Sequence, residues 1–339
     1  MEQTKRPIVS VVMPSFNSES VIEKALRSIR MQNMDQSRVE ILVIDGGSDD
    51  STCEIAKRYG ATVLYNDKRL PEYAKSIGIQ RCRGQYIIKM DSDEEFTSPP
   101  QLRDRIAFLG KHPKTKALVA NRLVTAGNCG IAGRYMNIYD DPFTCVIYRK
   151  KHSNLKSFSK WIDSREGNAA LLRYDKNALM PIGDGATTML DMDFVRERFV
   201  NELSSVTFAC TCFLETVQAT GWYGCIDGDD VLHHSVCSLK VYLSKLRFRI
   251  INNIWYQEES GYSARAKTNR RLARRKLLFP LYALTVILPL FDSVRMTARH
   301  KDATMLLHMF YVEYVLLYAA WCMALKKLGK KKTNKAYGK

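Results

Sequence analysis

The segment Met90-Asp91-Ser92-Asp93-Glu94-Glu95 places four acids within five residues, at the end of the apolar run 86–90. Carboxylates this close repel one another, and a divalent cation relieves the repulsion. Mg2+ or Mn2+ takes one or two protein carboxylates and fills its other positions with phosphate oxygens and water. Held by Asp91 and Asp93, such a cation would bridge a diphosphate and stabilise it as a leaving group. An Asp-x-Asp pair alone is equally the mark of an ordinary acidic turn, so its meaning depends on the surrounding segments.

Two other polar loops supply that context. One is Pro14-Ser15-Phe16-Asn17-Ser18-Glu19, and the other is Asp45-Gly46-Gly47-Ser48-Asp49-Asp50-Ser51-Thr52. The glycines permit close backbone approach, Asp45 offers an acceptor to a base or ribose donor, and each loop feeds a helix N-terminus that favours phosphate.

The elements that must position these loops are legible from periodicity. Residues 8–13 read as a buried strand, followed by a helix with Ser20 and Glu23 at capping-box spacing and Val21, Ile22, Ala25, Leu26 and Ile29 on one face. Residues 39–44 form a second strand, with Ser51 and Glu54 opening a helix that runs through Arg58. Strands over 61–65 and 86–90 flank a helix over 72–82. Ser98 caps a helix starting at Pro99-Pro100 that presents Leu102, Ile106 and Leu109, and 117–120 is a further strand. Such alternation predicts an α/β fold with a doubly wound, mostly parallel sheet, whose ligands lie at the carboxyl ends of its strands. The three polar loops then converge on one edge, an arrangement that suits a nucleotide diphosphate. Between 123 and 240 the pattern weakens, and one helix, about 211–220, is predicted.

The runs VSVVMPSFNSESVIEKALRSIRMQ, ILVIDGGSDDSTCEIAKRYGA and GQYIIKMDSDEEF, in that order, resemble the family 2 glycosyltransferases over residues 7–110, about a third of the chain. The resemblance implies a GT-A fold, a nucleotide-sugar donor, inversion at the anomeric carbon and Mg2+ or Mn2+ as cofactor. Carried onto the matching positions, it sets Pro14, Ser15, Asn17 and Glu19 beside the nucleoside and turns Asp45 to the base. Asp91 and Asp93 would bind ribose or diphosphate and the metal.

This chain departs from the family pattern in three places. The usual Asp-Asp-Gly is Asp45-Gly46-Gly47. The usual Ala-Arg-Asn is Ala74-Lys75-Ser76, where Lys75 keeps a positive charge for the diphosphate but loses the bidentate fork. The Glu-Asp pair that many members place ahead of a helix ending in Gly falls, counted back from Gly221, on Ala209-Cys210. Neither residue takes a proton from a hydroxyl. Asp184, Asp191 and Glu202 are then the candidate bases, or the protein is a non-catalytic scaffold that binds nucleotide-sugar. Later, His233 or His234 is placed to join the metal or diphosphate, with a hydrogen-bonded structural pair as the alternative.

The formal charge of +17 is concentrated near the C-terminus. Arg265, Lys267, Arg270, Arg271, Arg274, Arg275 and Lys276 form one block, and Lys326, Lys327, Lys330, Lys331, Lys332, Lys335 and Lys339 another. The rest of the chain is near neutral, which argues against a nucleic-acid binder. Both blocks flank apolar stretches, 277–291 with Pro280 and Pro289, and 303–325, the second about long enough to span a bilayer. Arg295, Arg299, His300 and Lys301 between them disfavour a hairpin with a translocated loop, so in-plane contact with an anionic membrane surface is expected. That location suggests a glycan or lipid-linked acceptor. Residues 1–6 are polar and 8–13 too short for a signal h-region, and the nine scattered cysteines show no C-x-x-C pair, so the cytoplasmic face is expected. Nucleotidyltransferases share a similar sheet, but Pro14-Ser15-Phe16-Asn17 lacks their Gly-rich basic first loop. The expected organisation is 1–122 as the nucleotide-sugar-binding half, 123–240 as the acceptor half, and 241–339 as the membrane-associating region.

Overall fold

Each central strand carries two alternating apolar sets, and both are buried. In β1 (Val9–Ser15) Val9, Val11 and Met13 face one layer and Val12 the other; in β2 (Val39–Asp45) Ile41 and Val43 oppose Leu42 and Ile44. The first layer packs on α1 (Glu19–Arg30), α2 (Thr52–Arg58) and α4 (Gln101–Lys111). The second packs on α3 (Pro71–Arg81) and, further along the chain, α9 (Val206–Thr220). Gly78 lets α3 lie against β1, since a Cβ there would come within 2.1 Å of Val12 Cγ1. The computed structural model describes residues 5–127, 129–148, 153–177, 187–234, 237–256 and 275–330.

β3 (Thr62–Tyr65), β4 (Tyr86–Lys89) and β6 (Ala117–Val119) join this sheet, as do β8 (Ile162–Glu166), β9 (Ala169–Arg173), β10 (Thr188–Asp191) and β11 (Trp222–Ile226). The order is β3-β2-β1-β4-β10-β6-β11-β9-β8. It is mostly parallel, as expected, with β10 inserted antiparallel between β4 and β6, and β9 antiparallel to its neighbours. A second, small sheet, β5-β12-β7, is made of Glu94–Phe96, Asp230–His233 and Arg122–Thr125. Its first strand takes in Glu94 and Glu95 of the acidic segment.

The region between β7 and β12 holds more helix than periodicity predicted. α5 (Gly133–Tyr139), α6 (Pro142–Tyr148), α7 (Asn154–Ser157) and α8 (Met192–Arg198) are each seven residues or shorter, too brief for a repeat to register. The predicted helix at 211–220 is α9, which starts earlier, with Ser205 Oγ accepting from the Phe208 N–H.

Three helix starts differ from expectation. α1 begins at Glu19 after Ser18, two residues ahead of the Ser20 box. At α2 Ser51 holds the cap position, as expected, but the capping bond comes from Asp50, whose Oδ1 accepts from the Thr52 N–H at 3.0 Å. α4 begins at Gln101, and Ser98 donates its N–H to Gln101 Oε1 at 2.7 Å instead of capping the helix.

A third core joins α5 and α6 to the C-terminal helices α10 (Leu239–Trp255), α11 (Leu278–Leu284), α12 (Ile287–His300) and α13 (Leu307–Lys327). Tyr135, Tyr242 and Tyr311 meet at its centre. The division at 240/241 therefore runs through α10, and the one at 122/123 through β7. Pro280 and Pro289 do not break helices; each sits in a first turn, where its missing N–H costs nothing. The break comes between them at Val286, with φ of 55°, and bends the two helices by 86°. The helical segment Ala303–Lys327 is long and apolar enough to cross a membrane.

Candidate active site at the carboxyl edge of the sheet

The loops after β1 and β2 form one hydrogen-bonded unit. Asn17 adopts φ of 47°, donates its N–H to Ser48 Oγ at 2.8 Å and accepts from the Asp49 N–H at 3.1 Å. Glu19 accepts from the Ser51 N–H, and Asp50 returns the contact by accepting from the Glu19 N–H. Ser18 donates its N–H to Thr52 Oγ1 at 2.7 Å, while its hydroxyl receives that of Ser92 at 3.0 Å, which ties in the acidic loop. All three loops thus meet at one edge.

Within this unit Asp45 is buried, and its own loop takes both of its oxygens. Oδ2 accepts from Gly47 N–H at 2.7 Å and Ser48 N–H at 2.9 Å, and Oδ1 accepts from Ser48 Oγ at 2.5 Å. It shapes the turn, whatever it offers a ligand. Beside it Arg69 lies over the Phe16 ring, 5.3 Å from the centroid, a planar platform that periodicity did not reveal. Pro14 is half-buried at the end of β1, and the buried Ser15 Oγ has no hydrogen-bond partner among the described residues.

The acidic loop is sorted by burial. Asp91 is exposed, and Glu94 is buried with Oε2 accepting from the Asp91 N–H at 3.0 Å. Burial first, then the charges of Asp91 and Asp93, push Glu94 well above the usual carboxylate range. Asp93 goes the other way. Burial opposes its charge, but the hydrogen bond and charge of His233, with Lys245, hold it below its ordinary value.

β12 separates the two histidines. His233 Nε2 lies 3.0 Å from Asp93 Oδ2, whereas His234 Nε2 meets Glu95 Oε2. His233 Nδ1 lies 2.7 Å from Asn137 Oδ1. An imidazole donating from Nδ1 to that amide oxygen turns its Nε2 lone pair to the Asp93 carboxylate. Two acceptors then face each other unless a proton or cation lies between them.

These residues fit a divalent ion. Cis ligands about 2.1 Å from an octahedral cation stand about 3.0 Å apart, the Asp93–His233 separation. Among the described residues no three His, Cys, Asp or Glu side chains form a ready-made cage.

Two of the candidate bases can now be placed. Asp191 pairs with Tyr86, the first residue of β4, and so lies at the opposite edge from Asp91. It accepts from Lys116 Nζ at 2.8 Å and caps α8 through the Asp193 and Phe194 N–H groups, which removes it as a base. Glu202 is exposed in the turn before α9, and Asp184 lies outside the described residues. Lys89 Nζ lies 3.5 Å from Ala209 O, so the start of α9 stands beside the acidic loop. Ala209 and Cys210 are inside that helix, not ahead of it.

α10, assigned above to the membrane region, contributes to the site. Lys245 and Arg249, one turn apart, act on Asp93 and Glu72 respectively, and Arg249 also bridges Asp140 and Asp141 at 2.7 and 2.9 Å. Lys75 acts on both Glu72 and Glu94. The i, i+4 basic pair on α10 was the available signal for these cations. The acids after β11 are occupied elsewhere, Asp229 by Arg105 and Asp230 by Arg122. A cleft of about 780 Å³ lined by Trp161, Tyr174, Gln218 and Gly221 lies at the amino end of β11, away from the three loops.

The model of a family described as "Glycosyl transferase family 2" matches residues 10–197. The chain belongs to the family 2 glycosyltransferases. The chain is 33% identical over 93 residues to Glycosyltransferase AglE of Haloferax volcanii, a match covering 26% of the chain and 31% of the relative. It is 32% identical over 99 residues to the GalNAc(5)-diNAcBac-PP-undecaprenol beta-1,3-glucosyltransferase of Campylobacter jejuni, covering 27% and 31%. The matched part thus spans less than a third of either relative. In fold, the chain is similar to the mannosyltransferase PcManGT of Pyrobaculum calidifontis, solved in complex with GDP-Man and Mn2+. There the TM-score is 0.52 at 14% identity, over 94% of this chain and 88% of that one.

Proposed function

We propose that this glycosyltransferase moves one sugar, with inversion, from a nucleotide diphosphate donor to a hydroxyl of a lipid-linked or membrane-proximal glycan. The carrying observation is the facing pair Asp93 Oδ2 and His233 Nε2 at the edge where the three loops meet. Asp93 and His233 would hold Mg2+ or Mn2+, which when bound neutralises the departing diphosphate, with Asp91 turned to the ribose or diphosphate. Lys75, with Lys245 and Arg249 from α10, supplies further positive charge there. Pro14, Ser15, Asn17, Glu19 and Asp45 form or brace the nucleoside cradle, with Phe16 and Arg69 as its flat wall. The mannosyltransferase with the similar fold was solved with a nucleotide-sugar and Mn2+, which supports the donor class.

In calorimetry, UDP or GDP should bind at least about tenfold more tightly with Mn2+ than with EDTA, and turnover of the matching sugar nucleotide should need the ion. Equal affinity in both conditions would exclude a metal-bridged diphosphate. The absence of carboxylates at Ala209-Cys210 favours a second reading, a nucleotide-sugar-binding scaffold, which predicts metal-dependent binding without turnover.

The acceptor class rests on the C-terminal helices. Leu281, Leu284, Ile287, Leu290 and Phe291 of the bent α11–α12 pair are exposed, Ile287 by 74% and Phe291 by 62%. Lys276, Arg295, Arg299 and Lys301 flank them. This surface suits the interface of an anionic bilayer on its cytoplasmic face. The similar Campylobacter enzyme is named for a substrate carried on undecaprenol. The double variant Ile287→Asp with Phe291→Asp should lose about 10²-fold or more in partition onto phosphatidylglycerol vesicles, from about 1.5–3 kcal/mol per side chain no longer buried. Unchanged co-sedimentation would refute the docking face.

A further inference from the structure

An acceptor hydroxyl must lose its proton as the new glycosidic bond forms, and the start of α9 offers no carboxylate to take it. The carboxylates near the acidic loop are mostly occupied. Glu94 holds the Asp91 N–H, Glu95 holds His234, and Asp93 faces His233. Glu72 differs. It is in the first turn of α3, a helix entered from the carboxyl end of β3, and thus at the ligand edge. Its Oε2 is buried and has no hydrogen-bond partner among the described residues. At the ligand edge, a buried acceptor without a protein donor leaves room for a donor from a bound molecule.

We propose that Glu72 is the carboxylate that accepts the proton of the acceptor hydroxyl. The inference rests on the reading of the chain as a nucleotide-sugar transferase. In the step, the hydroxyl O–H bond breaks and its proton goes to Glu72. The oxygen forms a bond to the anomeric carbon, while the bond from that carbon to the phosphate oxygen breaks and its electron pair leaves with the diphosphate.

Three charged groups act on Glu72 from the elements around it, Lys75 on its own helix, Asp91 from the acidic loop and Arg249 from α10. Burial is the largest influence. With Asp91 it outweighs Glu72's own backbone N–H, Lys75 and Arg249, and holds the carboxyl above its ordinary value. A carboxylate so raised binds a proton more firmly and is the better base, while the neighbouring cations keep its charged form accessible. Asp91 links it to the donor, and Arg249 links it to the C-terminal helices expected to meet the acceptor.

The test uses the full chain, with a sugar nucleotide and acceptor that the wild type turns over, and the variants Glu72→Gln, Glu72→Asp and Asp184→Asn. Glu72→Gln should lower kcat by about 10²–10⁴-fold while UDP and Mn2+ binding, read by calorimetry, stays within about twofold. Wild-type kcat should fall as acidification protonates Glu72, and the residual activity of Glu72→Gln should lack that acidic limb. Glu72→Asp, which keeps the carboxylate, should recover part of the rate. A kcat for Glu72→Gln within about tenfold of wild type overturns the proposal. So does a retained acidic limb in Glu72→Gln that Asp184→Asn abolishes. A wild type that binds nucleotide but turns over no donor defeats instead the enzymatic reading beneath it.

Discussion

Replacing Asp93 with Ala is expected to lower metal-dependent sugar transfer by about 10²–10³-fold, the usual cost of removing one fixed group that stabilises a developing charge. The size follows from position. Asp93 is the acid whose Oδ2 faces His233 Nε2 at 3.0 Å, and His233 is oriented from behind by Asn137, so no neighbouring carboxylate can take over without moving the imidazole. Glu94 is the nearest in sequence, but its Oε2 is bound to the Asp91 N–H. Chelation supplies the control: EDTA should remove wild-type activity and take little more from the variant. If Asp93→Ala kept Mn2+-stimulated turnover, the metal role would be lost. Asp93 also sets a pH limit. His233 holds it below the ordinary aspartate value, so its ionised form persists into acid, and its contribution to folding is lost only as pH falls through that lowered value.

Replacing Arg105 with Ala should destabilise the protein by about 3–5 kcal/mol, the cost of leaving a buried ion pair with one member. Arg105 is 0% exposed. Its Nε and Nη2 each lie 2.8 Å from an oxygen of the buried Asp229, and Nη1 donates to Thr187 O. Gln101 donates to the same aspartate, and the guanidinium lies over the Phe96 ring. One side chain thus joins α4, the start of β10 and the β11–β12 turn, the scaffold that carries β12 and His233. Without Arg105, the Asp229 charge is stranded in the core. Urea unfolding would measure the loss, and a variant replacing both partners with apolar residues should be the more stable of the two. A loss below about 1 kcal/mol for Arg105→Ala would show that the turn is held by other contacts.

The mainly parallel half of this fold was readable because each element there satisfies a local rule. Val9–Ser15 and Val39–Asp45 are apolar on both faces, which only a strand covered on both sides permits, and the α1 apolar face repeats at helical spacing. The convergence of the Pro14, Asp45 and Asp91 loops followed from the parallel topology itself, since successive parallel strands end at one edge. Local rules failed on helix starts, where tertiary partners replaced capping side chains. The Ser18 N–H is satisfied by Thr52, which spacing does not predict, whereas Gln101 takes the Ser98 N–H at capping-box spacing although the helix itself starts only at Gln101.

Long-range contacts decided the chemistry of the remaining residues. Asp191 resembled any other acid in range, but the antiparallel insertion of β10 carried it to the wrong edge. His233 and His234 are adjacent in the chain, and strand alternation within the small sheet sends one to Asp93 and the other to Glu95. Glu72 looked like a first-turn helix residue, and α10 like part of a membrane-seeking tail. Burial of one carboxylate oxygen and the approach of Arg249 became visible only when three cores had closed around them. Sequence by itself determined the parallel half of the sheet and the edge at which its loops meet, because those depend on periodicity and loop chemistry along the chain. Tertiary structure decided which acids and histidines face one another, because a side chain's charge and partners are set by burial and by elements distant in sequence.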